Sequence, residues 1–546
     1  MPFALTRRRF IGSAATFTAA TFVTASGAPL PGTRALAESN PPTGATAGAS
    51  AASGETLGAG VGYGPAKAFS FDTLKAEARD LSRQPYVSAR SPHGEILDKL
   101  DYDAYQQIRY RRAATIPLGQ TPVQLFHLGR YFQEPVRMHT VAGGQAREII
   151  YDTALFDMPA DHPARALPAS TGFAGFRIMG PSLDNDWYAA LGASYFRTSG
   201  PYNQYGLSAR GLAIDSGLPT PEEFPRFAAY WLEAGEGQSL TIYGLLDSPS
   251  VTGAYRIVTR RTSDERDIHR ITQDVSLELY ARKDIERLGI APFSSMFWYG
   301  EGSRKQAADW RPEVHDSDGL GILTGSGERL WRPLNNPPRV QTSSFLDSNI
   351  KGFGLQQRDR DFVSYLDDGV FYERRASVWV EPGEGWGEGA VQLLEIPTDD
   401  EIHDNIALWW NPKGQLKGGQ SKAWSYRLTW TDDVPLEHGL GRATASFSGM
   451  GGRPGTKRPE GVRKFVIDFQ GGVFRGLDRN SGVKLIVTAS RGEVSNAYTH
   501  PVVDQRERWR ALFDIQTTGS EPVELRAYLS HDGRALTETW LGQYFP

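Results

Sequence analysis

A chain of 546 residues, 40% hydrophobic and 22% charged, is long enough for two or more domains and has the balance of a soluble globular protein. Its net charge of -4 becomes -8 once residues 1–37 are set aside, because they hold four arginines and no acid and so leave 55 of the 59 basic residues against all 63 acids; that balance lacks the basic footprint of a nucleic-acid binder and disfavours an anionic membrane surface. The absence of cysteine excludes disulfides, thiolate metal sites and a cysteine nucleophile.

The first element is an address. Thr6 to Ile11 forms a twin-arginine pattern, a small-residue apolar run follows from Gly12 to Gly27, and Ala35 to Ala37 supplies a cleavage site. Residues 1–37 are therefore expected to be a twin-arginine signal peptide that sends a folded protein to the periplasm. The apolar run is broken by Thr, Ser and Ala and is too weakly apolar to stay in a bilayer, and no later segment is long and apolar enough to span one. Residues 38–66 are rich in Gly, Ala, Ser, Thr and Pro and read as a flexible leader. Gly58, Gly60, Gly62 and Gly64 lie inside it without the strand and helix that a phosphate loop requires.

Phe71 to Leu81 reads as a helix with Phe71, Leu74, Ala78 and Leu81 on one face and Ser70 or Asp72 at its start. Strand patterns then dominate. Val275, Leu277 and Leu279 alternate with polar residues, and Ser377 to Val380 and Ala390 to Ile396 are short runs bounded by Gly and Pro. The expectation is an all-β protein, with a large antiparallel sandwich over residues 67–430. Residues 431–440 are polar and turn-rich, a linker. Residues 441–546 carry about seven short strands, the size of an immunoglobulin-like sandwich.

Two acidic knots carry the chemistry. Asp399, Asp400, Glu401 and Asp404 crowd into six residues ahead of Trp409 and Trp410. Crowded carboxylates raise one another's pKa. Thr398 and Glu401 have the spacing of a capping box, which accounts for Asp399 and Asp400 as the acids of a helix start but explains Asp404 less well. On a helical turn Asp400, Glu401 and Asp404 share one face, with the tryptophans as an apolar wall. An acid kept protonated in this way suits the protonation of a glycosidic oxygen. The second knot, Arg311 to Leu320, holds Asp316 and Asp318 before Gly319. It reads either as an Asx turn or as the second carboxylate of an inverting glycosidase; a calcium loop lacks its third acid and its closing Glu.

Between the knots lie Trp331 to Asn336, Arg358 to Phe362 and Tyr372 to Arg375. Their rings and guanidinium groups suit sugar binding or carboxylate tuning, or else surface ion pairs of about 0–1 kcal/mol. His315 and His403 each precede a key aspartate without a third metal ligand. No zinc-protease helix, nucleophile elbow or P-loop is present.

Further motifs complete the pattern: LDYDAYQQIRY from Leu100, GFAGFRI from Gly172, LGASYFR from Leu191, YGLSARGLAID from Tyr205, RPEVHDSDGL, WRPLNNP, KGFGLQQRDRDF and EIPTDDEIHDNI. In these the chain resembles the G and D type of periplasmic osmoregulated glucan biosynthesis proteins from about Phe71 onward, and its leader is similar to the D branch. The resemblance implies a galactose-mutarotase-like sandwich followed by an immunoglobulin-like one, and inverting cleavage of β-1,2-glucan in the periplasm. It implies Asp404 as general acid, Asp316 as general base acting on water through a relay, and Glu401 as a further cleft carboxylate. Arg375, Tyr372, Trp331 and Trp409 are the expected substrate contacts, with no metal and no cofactor. Transglycosylation on the same site, including cyclisation, is the alternative. A non-catalytic glucan binder that organises backbones is a third reading, disfavoured by the desolvation cost of crowded acids. A homodimer is compatible with all three.

Overall fold

The computed structural model describes residues 57–436 and 439–546. The expected signal peptide and the leader up to residue 56 lie outside the described residues. The rest of the leader is not a free tail. Gly62–Tyr63 pairs with Ile149–Ile150, Lys67–Ala68 pairs with Gln145–Ala146, and the Ala59 N–H donates to the Ala113 carbonyl at 2.9 Å. A segment with few large apolar side chains orders itself here through backbone hydrogen bonds to existing strands.

The helix Phe71–Ser82 forms as its periodicity predicts. Ser70 Oγ accepts from the Thr73 N–H at 3.1 Å and Thr73 Oγ1 accepts from the Ser70 N–H at 3.0 Å, a reciprocal cap. Leu74 and Ala78 are its buried face, packed near Trp231 and Tyr280.

The protein is all-β, as expected. One sheet runs through Arg137–Ala142, Arg226–Ala234, Ser239–Asp247, Val251–Ser263, His269–Ala281, Ser421–Thr431, Ser377–Pro382, Gly352–Gln356, Gly319–Leu323 and Arg329–Pro333. The other runs Gln341–Ser348, Glu388–Glu395, Ile406–Pro412, Leu288–Ser295, Ser208–Arg210, Tyr195–Thr198, Asp186–Leu191, Gly175–Met179 and Val123–Phe126, antiparallel throughout. Their inner faces share one core. Phe176 of the second sheet meets Tyr230 of the first at 5.2 Å, and Trp386 bridges Trp410 and Tyr426 at 5.7 and 6.0 Å. Gly175 permits the close approach of Gly175–Met179 to its neighbour: its φ is 156° and a Cβ there would lie 2.0 Å from the Ala190 carbonyl oxygen.

Beyond Thr431 the described residues form no helix or strand until the bridge at Gly441. A four-stranded sheet of Arg442–Met450, Val462–Gln470, Arg508–Gln516 and Glu493–Pro501 follows. Its partner strands, Lys484–Ala489, Val523–His531 and Thr539–Tyr544, join the first sheet, because Leu330–Trp331 pairs in parallel with Thr539–Trp540. The two halves are thus hydrogen-bonded together, and Arg358 forms a buried ion pair with Glu538 across the junction.

Candidate active site

A cleft of about 610 Å³ crosses the face of the second sheet that points away from the core. Strand alternation builds its floor. Tyr195 and Arg197, Ser208 and Arg210, Ser294 and Ala407 face the cleft, while Ala209, Phe293 and Leu408 belong to the core. Arg210 is buried, paired with Glu222 at 2.8 Å and flanked by the rings of Tyr195 and Phe224.

Asp404 closes one end of the cleft, just ahead of the strand Ile406–Pro412. Its loop is not a helix. Asn336 clamps Thr398 by accepting from its N–H at 2.9 Å and donating to its carbonyl at 2.7 Å. Thr398 Oγ1 then accepts from the Asp400 N–H, and Asp400 Oδ1 from the Ile402 N–H at 3.2 Å. These short side-chain turns compete with helical bonding, so the capping-box reading and the shared helical face are both replaced by an irregular loop. Asp399 and Asp400 are exposed on it, whereas Asp404 turns inward. Burial, and the charge of Asp316 beside it, push the Asp404 carboxyl up to about 6, against the pull of Arg197.

Asp316 follows the strand Val314–His315, which pairs with Phe297–Tyr299. Its N–H donates to the Met296 carbonyl at 2.9 Å, and Ser317 Oγ lies 2.8 Å from Ser295 Oγ. Burial raises its pKa, opposed first by the Arg375 guanidinium. Arg375 Nε stands 3.4 Å from Asp316 Oδ1 without hydrogen-bond geometry, so that buried oxygen accepts no hydrogen bond from the protein.

Glu401 and Tyr372, far apart in sequence, come together. The Tyr372 hydroxyl donates to Glu401 Oε2 at 2.5 Å, and Arg311 Nη1 donates to the same oxygen at 2.9 Å. Arg311 also holds Asp309 and Asp367, each at 2.6 Å, so one guanidinium ties three loops together. Asp367 in turn accepts from the N–H groups of Gly369 and Val370, which shapes the turn leading to Tyr372. Arg375 lies over the Tyr372 ring at 5.2 Å. Asp316, Arg375, Tyr372, Glu401 and Arg311 are therefore one connected set.

Two expected contacts are elsewhere. Trp331 is 3% exposed and packs in the core of the C-terminal half, under the Arg358 guanidinium at 3.5 Å. It also explains Gly319, whose added Cβ would lie 2.4 Å from the Trp331 ring; this glycine makes room for a packed indole rather than closing an Asx turn. Trp409 is 1% exposed and fills the space over Gly289, so it is a packing residue. Nor is the Trp409–Trp410 pair the wall beside Asp404; Leu394, Ile396 and Ile406 line the cleft there. Asp318 meets Glu301 and Asp359 rather than Asp316, with carboxylate oxygens within 4.8 Å of one another. Burial and the charges of Asp318 and Glu313 push Asp359 up to about 8. Arg311, Arg197, Arg210 and Glu222 were not singled out from sequence; the alternation Tyr195, Arg197 in LGASYFR was the available signal.

Comparison with known proteins fits this geometry into a family. Residues 69–544 match the family model described as periplasmic glucan biosynthesis protein, MdoG. Glucans biosynthesis protein D 2 of Ralstonia nicotianae is 50% identical over 503 residues, covering 89% of this chain and 92% of that one. Glucans biosynthesis protein D of Stenotrophomonas maltophilia is 46% identical over 492 residues, covering 88% and 91%. A solved polysaccharide lyase aligns at 11% identity over 68% of this chain and 44% of its own, with a TM-score of 0.22, which carries no argument.

Proposed function

Because the chain belongs to the MdoG family of periplasmic glucan biosynthesis proteins, we propose that it cleaves β-1,2-glucan by inversion, with Asp404 as general acid and Asp316 as general base. Family membership assigns the chain to osmoregulated periplasmic glucan biosynthesis, with a glucan as the molecule it handles. The observation that carries the reaction is the electrostatic pairing of a cleft carboxyl raised to about 6, Asp404, with Asp316, whose buried Oδ1 accepts no hydrogen bond from the protein. Two carboxyls of unequal surroundings divide acid and base roles between them.

In the proposed step Asp404 gives its proton to the oxygen bridging two glucose units as the bond from that oxygen to the anomeric carbon breaks. A water attacks the anomeric carbon from the opposite face, and its proton passes, through the relay, to Asp316. Arg375 opposes the burial that raises the Asp316 pKa and so favours its ionised form. Tyr372 and Arg311 hold one oxygen of Glu401, leaving the other for sugar hydroxyls. Export through the twin-arginine pathway and the two-sandwich domain division remain part of this reading, as does a sugar hydroxyl replacing water in transglycosylation.

The test is incubation of the full chain with linear β-1,2-glucan. New reducing ends, with the first-formed anomer of inverted configuration by proton NMR, support the reading. Rings or lengthened chains favour transfer. Binding without any product overturns catalysis.

A further inference from the structure

We propose that His315 is a buried imidazolium that positions Asp316 and biases its charge, a role that rests on the acid–base reading above. The ring is 0% exposed, stacked on Phe297 at 5.3 Å and edge-on to Tyr365 at 5.2 Å. Its two nitrogens each face an acceptor. Nδ1 lies 3.0 Å from Gln357 Oε1, and Nε2 lies 3.1 Å from Glu313 Oε2.

The orientation of the Gln357 amide is fixed by its other contacts. Its Nε2 donates to the carbonyls of His315 and Tyr372 at 3.0 and 3.1 Å. Exchanging amide oxygen and nitrogen would set an oxygen against two carbonyl oxygens, so the oxygen must face the ring. Nδ1 therefore carries a hydrogen. A carboxylate at Glu313 requires a second hydrogen on Nε2, and the ring is then a cation.

The surroundings agree. Facing the ring are Glu313 just ahead of its strand, Asp318 ahead of Gly319–Leu323, and Asp359 with Tyr365 around the helix Phe362–Tyr365; Arg358 acts on Asp318 in turn. Burial alone would push the imidazole down, but the hydrogen bond to Glu313 and the charges of Asp318 and Asp359 outweigh it and raise it. Buried acids need a compensating charge, and His315 supplies one inside the fold.

His315 immediately precedes Asp316, and its charge, with that of Arg375, favours the ionised form of that carboxyl. Through Gln357 the same unit holds the backbone of Tyr372, whose hydroxyl holds Glu401. His315 is thus a positioning residue that acts on the base and on the Tyr372 turn without touching substrate.

The test uses the full chain labelled with nitrogen-15 in histidine, with the His315 signal assigned by its loss in His315→Gln. At pH 8 both ring nitrogens are expected to carry protons. A singly protonated ring at that pH overturns the proposal, whatever the activity. Should His315→Gln fail to fold, isosteric Glu313→Gln serves instead: its amide N–H donates to Nε2, and the ring is expected to become neutral. In that variant the acidic limb of the rate profile should move up, with KM within about twofold of the parent, because the positive charge lost at His315 adjoins Asp316 while the negative charge lost at Glu313 lies three residues away. Lower activity with an unmoved limb would mean a packing role only and would refute the charge effect. Failure of the reaction assignment itself would show separately, as unchanged cleavage in Asp404→Asn with a doubly protonated His315.

Discussion

Asp316 and Asp404 hang from neighbouring residues of a single strand end. The Asp316 N–H is bonded to the Met296 carbonyl at 2.9 Å. Asn405, next to Asp404, accepts from the Phe297 N–H at 2.8 Å and donates to the Phe297 carbonyl at 2.9 Å. Asn405 Nδ2 reaches the Ile396 carbonyl as well, at 2.9 Å. Asn405→Ala would strip a partner from three backbone groups, two buried and one partly buried. A stability loss of about 2–4 kcal/mol is expected by urea unfolding. Among the molecules that remain folded, kcat should fall about tenfold or more, since the acid loses its fixed distance from the base. Wild-type kcat in a destabilised variant would contradict that coupling.

Asp404→Asn should abolish glucan cleavage while leaving glucan binding largely intact, measured by reducing-end release and by calorimetric titration. It should also make the protein more stable at neutral pH. A carboxyl whose folded pKa is about 6, against an ordinary 3.8, is favoured only while protonated. Its cost to the fold is absent below about pH 4, grows as pH rises to about 6, and is complete above that. The full shift corresponds to about 3 kcal/mol, and screening by cleft water reduces it to about 1–2 kcal/mol. The variant should therefore melt higher than the parent at pH 8 and equal to it at pH 4. Equal melting at both values would remove the raised pKa from the mechanism.

Arg311→Gln leaves Asp309, Asp367 and Glu401 without their shared cation. At Asp367 burial works against ionisation, but the Val370 and Gly369 N–H groups and Arg311 override it and hold the carboxyl below its usual range. Such a group stabilises the fold at neutral pH and loses that contribution as the pH falls through its folded pKa. The gap in unfolding free energy between parent and variant should thus be largest near pH 7, about 1–3 kcal/mol, and narrow below pH 4. A gap that stays constant with pH would mean packing, not charge, is what Arg311 supplies.

Trp331→Ala separates a packing ring from a sugar platform. Removing a fully packed indole should cost about 3–5 kcal/mol and lower the melting temperature. KM for glucan should stay within about twofold of the parent, whereas loss of a stacking platform worth about 1 kcal/mol or more would raise it about fivefold or more. A large KM effect would return Trp331 to the binding site.

The two acidic motifs were legible because their acids have no packing role that composition explains; Asp404 lines the cleft and Asp316 acts on it electrostatically. The loop that carries Asp404 was not legible. Thr398 and Glu401 have helix-start spacing, yet Asn336, far off in sequence, takes both backbone groups of Thr398 and diverts the chain into turns. The tryptophans failed for a related reason. Sequence gives an aromatic residue but not the face it occupies, and Gly319 and Gly289 are the cavities into which Trp331 and Trp409 fit. Arg210 and Glu222 were hidden because a floor residue is defined by cross-strand register, such as Tyr195 opposite Arg210, which no local pattern encodes.

The parallel pairing of Leu330–Trp331 with Thr539–Trp540 sets an order on synthesis. Thr539 bonds to Glu328, 211 positions earlier, so the edge at Arg329–Pro333 stays uncovered until the intervening chain has been made. A polypeptide halted anywhere before Thr539 keeps that edge open, with its backbone donors and acceptors on offer.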